Sequence, residues 1–269
     1  LDGKSFFYVN PLEVNPEACE KDYFKRHVKP VRQKWFGCAC CPPNVARLLS
    51  SIGGYAFECS EEAIYMNLFV GGQIEAVLNG KKNTFHVETQ YPWNGSVKIS
   101  VENQEESAFT YAVRIPGWCD KAELLVNGEK VPAAAEKGFV YLERDWKDGD
   151  RIELELEMKV KLWEGNPDIV DTCGRVAVTR GPLVYCAEGV DNDDTPLRDV
   201  RIDWDAAFEL EKAEVAGREM PVLKVQASRR EASKALYSDR KGKKVSFQLK
   251  LLPYYAWANR GVTEMDVWF

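Results

Sequence analysis

The chain has 269 residues, 45% hydrophobic and 29% charged, with a net charge of -6; this is an ordinary globular composition, long enough for two packed units and too apolar for long disorder. The acidic balance excludes a nucleic-acid partner, because neutralising phosphates takes a basic face and only the short run at 240–244 gathers cations. No stretch has the apolar length needed to cross a bilayer, and LDGKSFFYVN has neither the basic nor the apolar region of an export signal, so a cytoplasmic protein with no membrane partner is expected.

The chain starts at Leu1 rather than at a methionine, which suggests an excised piece of a longer protein. FFYVNPLEV and the charged stretch 17–34 read as loop with some helix, too polar to bury much without a partner surface. Next come Cys38, Cys40 and Cys41, and then Pro42 and Pro43, which open a helical pattern. In it Val45, Leu48, Leu49 and Ile52 recur at i, i+3, i+4 and i+7, and Gly53-Gly54 closes it. From Glu58 the period switches to two. Val97, Ile99 and Val101 alternate with polar residues, as do Phe109, Tyr111, Val113 and Ile115, and then 152–162 in one long run. Asn79-Gly80, Asn94-Gly95, Asn127-Gly128 and the cluster at 147–150 are hairpin signals between them. After the loop at 163–167, further strands are expected at 175–178, 183–186, 222–225, 245–252 and 264–269, while the aspartate-rich loop 191–199 should lie at the surface. The fold class is therefore mainly β: two tandem antiparallel β-sandwiches, at 58–162 and 163–269, preceded by a helical segment at 1–57. The last strand is a candidate to return to the first sandwich.

Eight cysteines are present, five of them within the first 59 residues. That crowding in a chain of this size suits reduced thiols with a metal-binding or catalytic task better than a disulfide framework. A helix N-terminus presents partial positive charge and unpaired amides, which favour a thiolate, and thiolates are both zinc ligands and nucleophiles. Core packing or a structural metal clip explains three clustered cysteines equally well, since a zinc site takes four ligands and no second CxxC pair follows. A vicinal Cys40–Cys41 disulfide is a strained third possibility.

WFGCACCPPNVARLL, with FFYVNPLEV before it and GRVAVTRGPLVYCAE and PYYAWANRG after it, resembles the zinc-dependent cysteine glycoside hydrolases typified by β-L-arabinofuranosidase. The resemblance spans nearly the whole chain, and CCPPN is its most specific element. It implies that β-sandwich domains follow an (α/α)6 helical barrel, of which 1–57 would be the C-terminal end. Cys40 would be the nucleophile and a Zn2+ ligand, and Cys41 a second ligand. The remaining two ligands and the acid/base glutamate would belong to the upstream helical barrel, the chain's intramolecular partner; Glu13, Glu17 and Cys19 match none of those motifs. The substrate implied is a carbohydrate, an arabinofuranoside-type glycan cleaved with retention of configuration, and the chain alone should be inactive. A non-catalytic carbohydrate-binding or structural double sandwich is the alternative, and a small structural zinc staple a third.

Other residues are better explained without a role in catalysis. His27 lies in a charged segment and His86 in a strand, while Asn44 and Arg47 suit capping and exposure as well as sugar contact. Trp35, Phe36, Tyr254, Tyr255 and Trp257 could line a sugar wall, but aromatic residues more often pack a core. Asp168, Asp171 and the aspartates at 191–194 lack calcium-loop spacing.

Overall fold

Strands form wherever the alternation runs, and a computed structural model describes every residue except Arg26, Ala39 and residues 232–234. The N-terminal stretch holds the two-residue strand β1 (Glu13–Val14) and the short helix α1 (Pro16–Lys21), whose first turn is capped by the Asn15 side chain accepting from Ala18 N at 3.0 Å. Helix α2 (Cys41–Ala56) follows. It runs through Gly53-Gly54, the expected stop, and ends where Phe57 turns extended and donates its N–H to the Gly53 carbonyl. Val45, Leu48 and Leu49, its apolar face, are each more than half exposed, and Ala56 is its buried residue.

The unit Ala39–Lys159 contains α2 and two sheets. Its strands are β2 (Phe57–Cys59), β3 (Ala63–Met66), β4 (Gly72–Leu78), β5 (Lys81–Thr89), β6 (Ser96–Asn103), β7 (Ser107–Arg114), β8 (Ala122–Val126), β9 (Glu129–Val131), β10 (Phe139–Trp146) and β11 (Arg151–Leu156). One sheet has the order β10-β7-β3-β2 and the other β4-β5-β6-β11-β8-β9. All neighbours are antiparallel except β3 and β7, a parallel pair that the hairpin signals do not announce. The inward residues Phe85, Val97, Ile99, Tyr111, Leu124, Trp146, Ile152 and Leu154 form one core. Within it the Trp146 indole donates to the Phe109 carbonyl at 3.0 Å, which satisfies its one polar atom. Asn79-Gly80 and Asn127-Gly128 both have positive φ at each residue, as two-residue hairpin turns require.

The unit Leu1–Cys38 with Val160–Phe269 is built on one connected set of nine strands. They are β1 with β12 (Val160–Glu164), β13 (Val176–Arg180), β14 (Leu183–Glu188), β15 (Arg201–Ile202), β16 (Phe208–Val215), β17 (Arg218–Arg230), β18 (Lys244–Pro253) and β19 (Met265–Asp266). The run 152–162, read as one strand, is two: β11 and β12 belong to different units. Met158, Val160 and Leu162 keep the same parity as Ile152, Leu154 and Leu156, so the period carries no mark of the break. The central strands bury both faces. Ala177, Cys186, Val222 and Leu252 point into one core, and their neighbours Val178, Tyr185, Leu223 and Leu251 into another. Val14 and Cys19 belong to the first of these cores, with Leu1, Phe7 and Val28 packed against it. The expected N-terminal piece 1–57 is thus divided at Cys38, with its first part covering a face of the second sheet. The last strand, β19, pairs with β14 and β1, so the chain end completes its own sheet rather than the first sandwich.

Candidate active site at the cysteine segment

Cys40 is the N-cap residue of α2 and Cys41 its first helical residue. Cys40 has helical dihedrals, φ -74 and ψ -35, and its side chain makes no capping hydrogen bond, so its sulfur is not spent on the helix end. Its carbonyl accepts from Asn44 N at 3.3 Å. Cys40 is exposed and Cys41 half-buried, and their sulfurs stand 3.9 Å apart. Pro42 and Pro43 have no N–H, and that of Asn44 is engaged, so few amides at this helix start face an anion. Unpaired amides therefore contribute little to favouring a thiolate here, while the helix dipole remains.

Zinc fits the pair. Two thiolates bound at about 2.3 Å to one tetrahedral ion stand about 3.8 Å apart, and the observed sulfur separation is 3.9 Å. Two donors are half of such a site. Among the described residues no group of three His, Cys, Asp or Glu side chains is placed to hold a metal.

Asn44 and Arg47 pair with each other: the Arg47 guanidinium reaches back one turn to Asn44 Oδ1 at 2.9 Å. Cys38 belongs to the other unit, where it accepts from the Tyr8 hydroxyl at 3.5 Å. Tyr8 lies in the string FFYVNPLEV, which by itself assigned it no role. Phe36 packs its ring on Phe6 and Tyr8, with centroids 5.3 and 5.6 Å apart, and Trp35 stays largely exposed.

The aromatic residues of PYYAWANRG are an anchor for the N-terminal segment. Trp257 is buried and stacks on Phe7 at 4.2 Å, and the Tyr254 hydroxyl donates to the Pro11 carbonyl at 2.7 Å. Arg32 donates to the Tyr255 and Trp257 carbonyls at 2.7 and 3.2 Å, with its guanidinium 5.0 Å above the Phe7 ring. Burial leaves this arginine below its ordinary pKa. GRVAVTRGPLVYCAE ends on Glu188, which is fully buried. One of its oxygens accepts from Ala258 N at 2.8 Å and the other pairs with Arg260.

Asp191 departs from the expected solvated acidic loop. Arg260 pairs with it and Lys250 reaches it at 3.1 Å, and although burial pushes its carboxyl up, these two cations bring it below the usual range. His86 is a strand residue, its Nε2 at 2.7 Å from Glu102, and His27 is exposed. A further perturbed carboxyl, Asp266 on β19, has no sequence signal. Burial pushes it up to about 7, against the partial relief of Trp268 N and Arg175.

The chain is thus a helix with two adjacent thiols at its start, with a two-sheet β unit and a unit built on nine connected strands, the class of a mainly β, two-unit protein. The chain matches the model of the GH127 β-L-arabinofuranosidase catalytic domain over residues 1–54, that of the GH127 middle domain over 63–158, and that of the family 127 C-terminal domain over 160–269. It belongs to glycoside hydrolase family 127. It is 35% identical over 280 residues to the non-reducing end β-L-arabinofuranosidase of Bifidobacterium longum subsp. longum, matching 99% of this chain and 42% of that protein. The crystal structure of a GH127 β-L-arabinofuranosidase from Geobacillus stearothermophilus T6 superposes with a TM-score of 0.93 at 43% identity, over 99% of this chain and 42% of that one. A second solved structure, a GH127 β-arabinofuranosidase, gives 0.85 at 33% identity, over 100% and 42%. The chain thus spans less than half the length of these relatives.

Proposed function

We propose that the whole protein is a retaining glycoside hydrolase acting on β-L-arabinofuranosides, and that this chain contributes its nucleophile, Cys40, and two zinc ligands, Cys40 and Cys41. The observation that carries the reading is the 3.9 Å sulfur pair at the start of α2, in a chain matching the family along nearly all its length. A bound zinc would hold the Cys40 sulfur deprotonated and make it a better leaving group. Cys40 Sγ attacks the anomeric carbon, forming a carbon–sulfur bond as the glycosidic carbon–oxygen bond breaks. The departing oxygen takes its proton from a carboxylic acid outside this chain. Water, deprotonated by the same carboxylate, then displaces the sulfur, and two inversions give net retention.

The chain alone supplies neither the acid/base group nor the other ligands, so it should be inactive. The crowding of five cysteines within the first 59 residues suits a reducing, cytoplasmic setting. The test is the whole protein with Cys40→Ser, assayed on an aryl β-L-arabinofuranoside with metal content measured in parallel. Loss of at least a thousandfold in kcat is expected; turnover near that of the unmodified enzyme overturns the assignment.

A further inference from the structure

We propose that Cys40 and Cys41 form a receptor for trivalent arsenicals, compounds of the form R–As=O that condense with two thiols at once. The proposal uses the sulfurs of the functional reading but needs neither metal nor sugar, so the two can fail separately.

The pair is poised to bridge and badly placed to close on itself. Consecutive Cα atoms lie about 3.8 Å apart across a trans peptide, below the roughly 4.4 Å at which ordinary disulfides begin. Cys40 has helical dihedrals and its carbonyl holds Asn44 N at 3.3 Å, so drawing the two sulfurs into bonding contact would unwind the first turn of α2. An atom inserted between the sulfurs enlarges that ring and relieves the strain. At 3.9 Å, the separation already suits a bridge through one soft atom, and a small side-chain rotation completes it. Within this chain Cys40 is exposed, which opens the pair to the reagent in the experiment below.

Of the six other cysteines, Cys38 and Cys173 are exposed single thiols, and the remaining four compete poorly. Cys19 and Cys186 are buried, and burial raises the thiols of Cys19, Cys59, Cys119 and Cys186, which lowers their thiolate fraction at neutral pH. No other two cysteines are adjacent in sequence. In the condensation two As–S bonds form, the As=O bond breaks, and both thiol protons leave with the oxygen as one water. Arsenic stays trivalent, so no oxidant or reductant is consumed.

The experiment uses the reduced chain with one equivalent of phenylarsine oxide, read by intact mass and peptide mapping. One adduct is expected, bridging Cys40 and Cys41, stable to excess glutathione and released by 2,3-dimercaptopropanol. Cys40→Ser and Cys41→Ser should each abolish glutathione-resistant binding, and Cys38→Ser should leave it intact; circular dichroism confirms that each variant is folded. Absence of the adduct, or its persistence in Cys40→Ser through another cysteine, overturns the proposal. An adduct on the chain together with full activity of the Cys40→Ser whole enzyme would remove the catalytic reading and leave this one standing.

Discussion

Asp266 should contribute stability that falls as pH rises, and its replacement by asparagine should remove that contribution. The carboxyl is 1% exposed on β19, directly opposite Glu13 of β1 in the antiparallel register. One oxygen accepts from Trp268 N at 3.0 Å, while the other lies 3.7 Å from Arg175 with no hydrogen-bond partner. Burial pushes its pKa up to about 7, against about 3.9 in an unfolded chain, and three units at about 1.36 kcal/mol each come to about 4 kcal/mol. Between those two values the folded state holds a proton that the unfolded state has released, so stability declines with pH across that window and levels off above it. Asp191 and Asp199, held low by their cations, act in the opposite sense at acid pH. The informative quantity is therefore the difference in unfolding free energy between wild type and Asp266→Asn, from urea titrations followed by tryptophan fluorescence at pH 4.5 and 8.5. It should move against the wild type by about 3 kcal/mol between those pH values, most of the full linkage, because at pH 4.5 the curve has not quite levelled off. A difference that does not change with pH would refute the placement of an uncompensated carboxyl at this position.

Three further substitutions test the architecture. Gly95→Ala would put a Cβ 2.0 Å from the Leu156 carbonyl oxygen, a backbone atom that cannot swing away, and should cost about 2–3 kcal/mol in a thermal melt; an unchanged midpoint would contradict that close approach. Glu188→Ala leaves Arg260 with Asp191 alone and strips the Ala258 amide of its acceptor. A loss of about 3 kcal/mol in urea unfolding is expected, and a loss under 1 kcal/mol would mean that the pair is not shielded from water. Leu49→Ala, on the exposed face of α2, should shift the melting of this chain by less than the error of the measurement, because the side chain is 63% exposed here. A large destabilisation would show that the face is covered.

Much of the fold was legible because alternation and turn chemistry are local. Asn79-Gly80 and Asn127-Gly128 needed only their own positive-φ tolerance to be read as hairpins, and β6 and β7 follow directly from their buried alternate residues. What stayed hidden is non-local. The parallel β3–β7 pair depends on which strands meet, and the β11–β12 break keeps its parity across the join. Strands β17 and β18 fall where strands were expected, at 222–225 and 245–252, but β17 runs on at both ends, from Arg218 to Arg230, where burial on both faces leaves no simple period. Residues 1–38 looked too polar to bury much, yet a few side chains were enough. Val14, Cys19 and Phe7 cover a sheet face, while Arg32 finds its partners in the carbonyls of Tyr255 and Trp257, acceptors that every sequence has.

The same division runs through the candidate site. Cys40 and Cys41 were readable because adjacency in sequence and the start of a helix already fix most of their geometry, and the 3.9 Å separation is what those two constraints deliver. PYYAWANRG was matched as a string without its purpose, which the packing supplies. Its aromatics hold the N-terminal segment, and Glu188, at the end of another matched string, holds the loop that carries them through Ala258 N and Arg260. Two motifs distant in sequence thus share one structural task in the C-terminal unit. Resemblance there goes with the burial of a charge and the docking of a segment, whereas on the proposed function resemblance at CCPPN would go with sulfur chemistry. A substitution at Glu188 should therefore register first in unfolding free energy, and one at Cys40 in turnover with the fold intact.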